Sequence, residues 1–232
     1  MQTTLYQDWT ILSGDTTLRR ALKKERKTEV VDYQYEQLNT AISCCKQFRT
    51  AIDVGANYGV MSYHMSKRFT NVHAFEIEPN VYNCLETNVK HFNLDNVQTH
   101  ACGLGNKEQT VSLTYIGNKE KSNSQPYKGT STFGTHVTPD SSGDILVKTM
   151  DSFSFTDVDF IKMDAEGFEP LIINGGIDLI AKYKPVILYE CKGHETRYGY
   201  AKDEVGQQLK KFGYVKIADA GNKKNAIIGV IN

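Results

Sequence analysis

The chain has 232 residues, enough for one large domain that buries most of its apolar surface, or for one domain with a terminal extension. Its 27 basic and 27 acidic residues cancel, so net charge gives no pull toward nucleic acid or an anionic membrane. No run approaches the roughly 20 apolar residues of a membrane span, and the first residues lack a signal peptide's basic start and apolar core. The five cysteines (Cys44, Cys45, Cys84, Cys102, Cys191) contain no C-x-x-C and read as reduced thiols of a cytoplasmic protein.

Residues 1 to 48 read as a polar helical cap or extension, with Tyr33, Leu38, Ile42 and Cys45 as its apolar stripe. Within it Arg19, Arg20, Lys23, Lys24, Arg26 and Lys27 form a basic cluster, either the solvated face of a helix or a patch for an anionic partner. From residue 49 to 232 the pattern alternates. Strand Thr50–Val54 leads to a helix over 59–69, strand Val72–Ile77 to a helix over 80–92, and a third strand covers Val97–Cys102. This alternation predicts βαβ units and a largely parallel sheet, an α/β fold with helices on both faces. Residues 117–144 are rich in Gly, Ser, Asn and Thr and read as one long loop, a candidate lid on the acceptor side. Strands Ile145–Thr149 and Val158–Met163, a helix over Pro170–Lys182 and strand Val186–Glu190 follow. Tyr214–Ala218 and Ala226–Ile231 flank a turn-rich link and predict a closing antiparallel hairpin.

Asp53-Val-Gly-Ala-Asn-Tyr-Gly59 ends the first strand in an acid and a glycine-punctuated turn that opens a helix. The glycines permit close backbone approach and the helix start supplies free N–H groups. The spacing is D-x-G-x-x-x-G rather than G-x-G-x-x-G, which suits a ligand carrying an ammonium or hydroxyls and counts against a nicotinamide dehydrogenase. The same residues also read as a plain strand–turn–helix corner with glycines for packing.

Ligands of open α/β sheets sit beyond the carboxyl ends of the strands, and here those ends are acidic. The second strand runs into Glu76, which can accept both hydroxyls of a ribose, followed by Glu78. Strand Val158–Met163 runs into Asp164-Ala-Glu166-Gly, and strand Val186–Glu190 ends in Glu190 with His194 close behind. Either Glu76 or Glu78 also reads as an exposed strand-end or helix-capping acid.

Taken with Ala74-Phe-Glu-Ile-Glu-Pro79, Lys148-Thr-Met-Asp151 and Asp159-Phe-Ile-Lys-Met-Asp-Ala-Glu-Gly-Phe-Glu169, the chain over roughly residues 49–193 resembles the FkbM-type methyltransferases. The resemblance implies a Rossmann-like class I fold, a mostly parallel seven-stranded sheet, and S-adenosylmethionine as cofactor. It assigns the cofactor cradle to Gly55, Ala56, Asn57 and Gly59, with Asp53 orienting the amino group, Glu76 holding the ribose, and Cys102 and Gly103 near the adenine. Asp164 falls at the cofactor edge. It also implies O-methylation of a hydroxyl on a sugar, glycan or small natural product, an in-line displacement in which alignment alone supplies about 7–11 kcal/mol. Asp164, Glu166, Glu190 and His194 are the candidate catalytic groups, since a hydroxyl needs somewhere to send its proton. The acids permit a divalent cation without requiring one, and no metal is assigned.

The segment Gly129–Gly134 only loosely echoes the family's Ser/Gly-rich loop, so acceptor identity does not carry over. The place of the Asn/Asp-Pro-Pro-aromatic motif of DNA amino-methylating enzymes holds Asp164–Gly167 instead. RNA ribose 2′-O-methylation stays open because Lys162, Asp164 and Glu190 suggest a Lys/Asp/Glu set, although the neutral charge disfavours it. A non-catalytic interaction module is the remaining alternative. The other five histidines (His64, His73, His91, His100, His136) show no ligand spacing.

Overall fold

In the computed structural model the described residues are 2–15, 18–19, 34–115, 135–138, 143–220 and 224–230. Seven strands form the central sheet: β3 (Thr50–Val54), β4 (Asn71–Phe75), β5 (Val97–His100), β10 (Val158–Met163), β11 (Val186–Glu190), β12 (Tyr214–Ala220) and β13 (Asn225–Val230). Their order is β12-β13-β11-β10-β3-β4-β5. Neighbours from β11 to β5 are parallel, and β13 runs antiparallel to both β11 and β12. The order reverses between β3 and β10, which places a crevice at their carboxyl ends.

Both faces are covered, as a parallel sheet requires. Ile52, Val54, Ile161, Met163 and Ile187 point to one layer, packed by α4 (Glu169–Asn174), α5 (Ile177–Tyr183) and α6 (Glu204–Lys210). Ala51, Val72, Ala74, Phe160 and Leu188 point to the other, packed by α1 (Tyr35–Ile42), α2 (Val60–Ser66) and α3 (Pro79–His91). Helix α3 carries its own start signals: Pro79 sits in its first turn and the Glu78 carboxylate accepts the Val81 N–H at 2.7 Å.

Three expectations need correction. The segment read as helical begins as a hairpin, β1 (Thr3–Tyr6) with β2 (Trp9–Leu12). Its two-residue turn puts both Gln7 and Asp8 at positive φ, as the tight hairpin turn demands, but without the Asn-Gly or Asp-Gly that would announce it. Trp9 then docks on Tyr63 and Phe92, and buried Asn88 bonds Thr10 in both directions, at 2.7 and 3.0 Å. Helix α1 does follow, and its Leu38 and Ile42 belong to the same core layer as Phe160.

The helix over 170–182 is two helices. Gly175 and Gly176 separate them, because a Cβ at Gly175 would lie 1.8 Å from the Gly105 carbonyl oxygen. Asp151 caps the second, accepting the N–H groups of Asp178 at 3.1 Å and Leu179 at 2.9 Å. The 117–144 loop is interrupted by β8 (Thr135–Thr138), and Ile145–Lys148 (β9) does not join the main sheet. With β6 (Gly103–Leu104) and β7 (Gln109–Tyr115) they make a four-stranded sheet, order β6-β9-β7-β8, whose Val111, Val137 and Val147 extend the first core layer.

Residues 116–134 and 139–142, including Gly129–Gly134, lie outside the described residues, as do Tyr33, the basic residues 20–27 and the 221–222 turn. All five cysteines are free thiols. Among the described residues no helix is long and apolar enough to cross a membrane.

Candidate active site

An open cavity of about 1210 Å³ lies at the carboxyl ends of β3, β4 and β10. Gly55, Ala56 and Asn57 line it from the turn after β3. The turn is held by Gly55 and Ala56 N–H groups donating to the Phe75 carbonyl at 3.0 and 2.9 Å. Both glycines are required by the fold itself. Gly55 has φ +72° and its Cβ would fall 2.1 Å from the Asp164 carbonyl oxygen; Gly59 has φ +92° and would meet Leu85 at 2.7 Å. Gly59 caps α2 and is not among the cavity-lining residues.

Asp53 does not reach the cavity either, against the expectation that it orients a ligand amine. It is fully buried, accepts the Ser62 hydroxyl at 2.6 Å and pairs with the Lys162 ammonium at 3.0 Å. Lys162 also donates to the Gly55 carbonyl at 2.8 Å. Burial opposes its charge, but Asp53, Asp164 and Glu76 outweigh that and raise its pKa. Lys162 thus braces the glycine turn from below and also lines the cavity beside Asp164, whereas Glu190 of the Lys/Asp/Glu set does not line it.

Glu76 lines the cavity from the end of β4 and is 7% exposed. One carboxylate oxygen accepts the Asn57 N–H at 2.8 Å and the other the Glu78 N–H at 2.9 Å. Burial pushes its pKa up to about 7 even though both N–H groups pull it down. A buried acceptor pair held this way suits a ligand diol, whose O–H groups would stabilise the charged form. Glu78, two residues on, is the helix cap described above. Cys102 and Gly103 form the adjacent wall with Ile77, and burial raises the Cys102 thiol.

The opposite rim is the turn after β10. Asp164, Ala165 and Glu166 line the cavity, with Glu166 at φ +52° and Gly167 at φ +102°. Gly167 presses backbone to backbone on His194, where a Cβ would come within 2.4 Å. Buried Glu169 accepts the Ala165 N–H at 2.7 Å and so fixes the turn from below. Its pKa rises to about 8, through burial first and the nearby Asp164 and Glu166 charges, with two N–H donors opposing. Glu190 and His194 do not line the cavity but join Glu166 behind the rim. His194 Nδ1 lies 3.0 Å from Glu166 and 3.4 Å from Glu190. Lys192 pairs with the other Glu190 oxygen, and Arg197 donates to the Glu166 carbonyl at 3.0 Å. Burial, then the Asp164 charge, raises the Glu190 pKa against the pull of Lys192.

Residues 53–216 match the model of the methyltransferase FkbM domain. The chain belongs to the FkbM methyltransferase family. Membership makes it a methyltransferase domain. A crystal structure of an FkbM methyltransferase from Methylobacillus flagellatus shares the fold, with TM-score 0.53 and 16% identity over 80% of this chain and 44% of that one. A methyltransferase structure from Streptococcus mutans, in complex with SAH, has TM-score 0.50 and 11% identity over 84% of this chain and 94% of its own. Methyltransferase 1 of Beauveria bassiana is 30% identical over 66 residues, 28% of this chain and 26% of that one. The chain therefore spans about a quarter of that curated relative and under half of the Methylobacillus protein.

In this FkbM domain the N-terminal segment supplies three cavity residues that no motif marked. Asp15, Leu18 and Gln34 line the cavity from the N-terminal segment. Asp15 is 1% exposed and accepts the Tyr58 hydroxyl at 3.0 Å and the Leu18 N–H at 3.0 Å. No sequence pattern marks an acid so far from the glycine turn in the chain; only a buried tyrosine within that turn, Tyr58, hints that something must bind its hydroxyl. Leu113 and Val137, from the second sheet, complete the apolar wall.

Proposed function

We propose that this domain transfers the methyl group of S-adenosylmethionine to a hydroxyl oxygen of a sugar, glycan or small natural product. The supporting observation is one cavity with a buried diol acceptor, Glu76, on one wall and the acids Asp164 and Glu166 on the other. When bound, the cofactor supplies an electrophilic methyl carried on a sulfonium. Glu76 accepts the ribose hydroxyls, the Gly55–Asn57 backbone borders the amino-acid portion, and Cys102 and Gly103 flank the base. Asp164 and Glu166 face the acceptor, and the Glu166–Glu190–His194 group takes up its proton. Water is held off by the apolar wall of Ile77, Leu113, Val137 and Phe168.

Labelled methyl donor incubated with a panel of hydroxylated sugars and natural products, with and without Glu166→Gln, tests this. Transfer to oxygen by the wild type, lost by at least about a hundredfold in the variant while cofactor titration is unchanged, is the expected result. Transfer to nitrogen or carbon acceptors only, or wild-type rates from Glu166→Gln, would overturn it. In the same titration Glu76→Gln should weaken cofactor binding about tenfold or more, since a hydrogen bond to a charged group contributes about 1.5–3 kcal/mol.

A further inference from the structure

Behind the rim, Glu166, Glu190 and His194 come from three separate elements and bring one donor atom each within 4.8 Å of one another. The two contacts to His194 Nδ1, 3.0 and 3.4 Å, are short, yet neither is a hydrogen bond: His194 Nδ1 and Glu190 Oε2 are both buried and make none. Glu190 is 5% exposed, so its oxygen is aimed into the cluster rather than at solvent. A protonated imidazole would direct its N–H along one of these contacts. The atoms instead stand as donors around a common centre. An ion bonded at about 2.1 Å holds neighbouring donors about 3.0–3.4 Å apart, whether tetrahedral or octahedral.

We propose that Glu166, Glu190 and His194 bind a divalent transition-metal ion, of the zinc or manganese class, at the back of the acceptor rim. One imidazole with two carboxylates is a mixed donor set that suits these ions better than the all-oxygen preference of magnesium or calcium. The site is pre-shaped. Gly167 against His194 locks the first and third donors together, and Gly193, at φ +82°, turns the chain from Glu190 back to His194. Lys192 orients Glu190 through its other oxygen, and Arg197 holds the Glu166 backbone. Those two cations also repel an incoming ion, so affinity is moderate rather than extreme. An ion here stands behind the rim, so its charge favours ionisation of an acceptor hydroxyl across Glu166 while Asp164, which also lines the cavity, takes the proton. That use of the ion rests on the hydroxyl-acceptor reading; its binding does not.

The test is calorimetric titration of the chelator-treated 232-residue chain with MnCl2 and, separately, ZnCl2, with no methyl donor or acceptor present. One ion per chain is expected, with affinity at least about tenfold lower in His194→Ala and in the near-isosteric Glu190→Gln. Cofactor titration of the same samples reports that each variant is folded. Absence of one-to-one binding by either ion, or wild-type affinity in both folded variants, would overturn the proposal and leave an imidazole–carboxylate ion pair. Because no acceptor is present, a failed transfer reading and a failed metal reading are separable.

Discussion

The Asp53–Lys162 pair and the Glu166–Glu190–His194 group are built from the same ingredients, carboxylates at strand ends with a basic group across from them, and they behave in opposite ways. Beneath the glycine turn, every charge is answered: Asp53 has Ser62 and Lys162, and Lys162 has Asp53 and the Gly55 carbonyl. Behind the rim the charges are uneven: burial and the Asp164 charge raise Glu190 against the pull of Lys192, and two carboxylates share one imidazole. What a strand-end acid does therefore depends on where its neighbours leave it: Asp53 is shut away from the cavity, while Glu76, held by two backbone N–H groups, still lines it. The first pair is a strut, and the second group is where chemistry is available.

The largest expected effect tests the strut. Lys162→Met leaves Asp53 charged and fully buried with only Ser62, and should cost about 3–5 kcal/mol in urea unfolding. Lys192→Met, which removes the cation from Glu190 at a half-exposed position, should cost under about 1 kcal/mol; equal losses would erase the distinction. Neutralisation sharpens it further. Asp53→Asn should lower the melting temperature, while Glu190→Gln should hold or raise it at pH 8, since the native acid is buried against its charge.

A smaller effect is expected from pH alone. Glu76 and Glu169 are raised in the folded chain, to about 7 and about 8, from an ordinary 4.5, so the folded state holds protons that the unfolded state has released. Their contribution is complete below pH 4.5 and is lost as pH climbs through 7 and 8. His73 and His100 are lowered by burial and act below their ordinary 6.5, so the window from pH 6.5 to 8 isolates the acids. Melting temperature should fall across it, and the fall should shrink in Glu169→Gln. At the bottom of the scale, the exposed Glu86–Lys90 pair on α3, at 3.2 Å, should yield about 0.3–0.5 kcal/mol or less in a double-mutant cycle.

Strands β3, β10 and β11 were legible to the residue, because buried central strands are short apolar runs bounded by turn residues. The N-terminal hairpin was not, since Gln7 and Asp8 carry none of the usual turn signal and its docking depends on Trp9 finding Tyr63 and Phe92 more than fifty residues away. The break at Gly175–Gly176 was visible as two glycines but explicable only by the Gly105 loop crossing there. Within the site, Glu76, Asp164 and Glu166 were found at the cavity as their strand-end positions suggested.

Local pattern determined the order of strands and helices, the glycine turn and the acids at the strand ends, because periodicity and turn chemistry act over a few residues. Which basic group each of those acids meets, and which acids line the cavity, was decided only in three dimensions. A carboxylate's state depends on burial and on charges brought from other strands, as Lys162 is brought to Asp53 and His194 to Glu166. No stretch of sequence contains that sum.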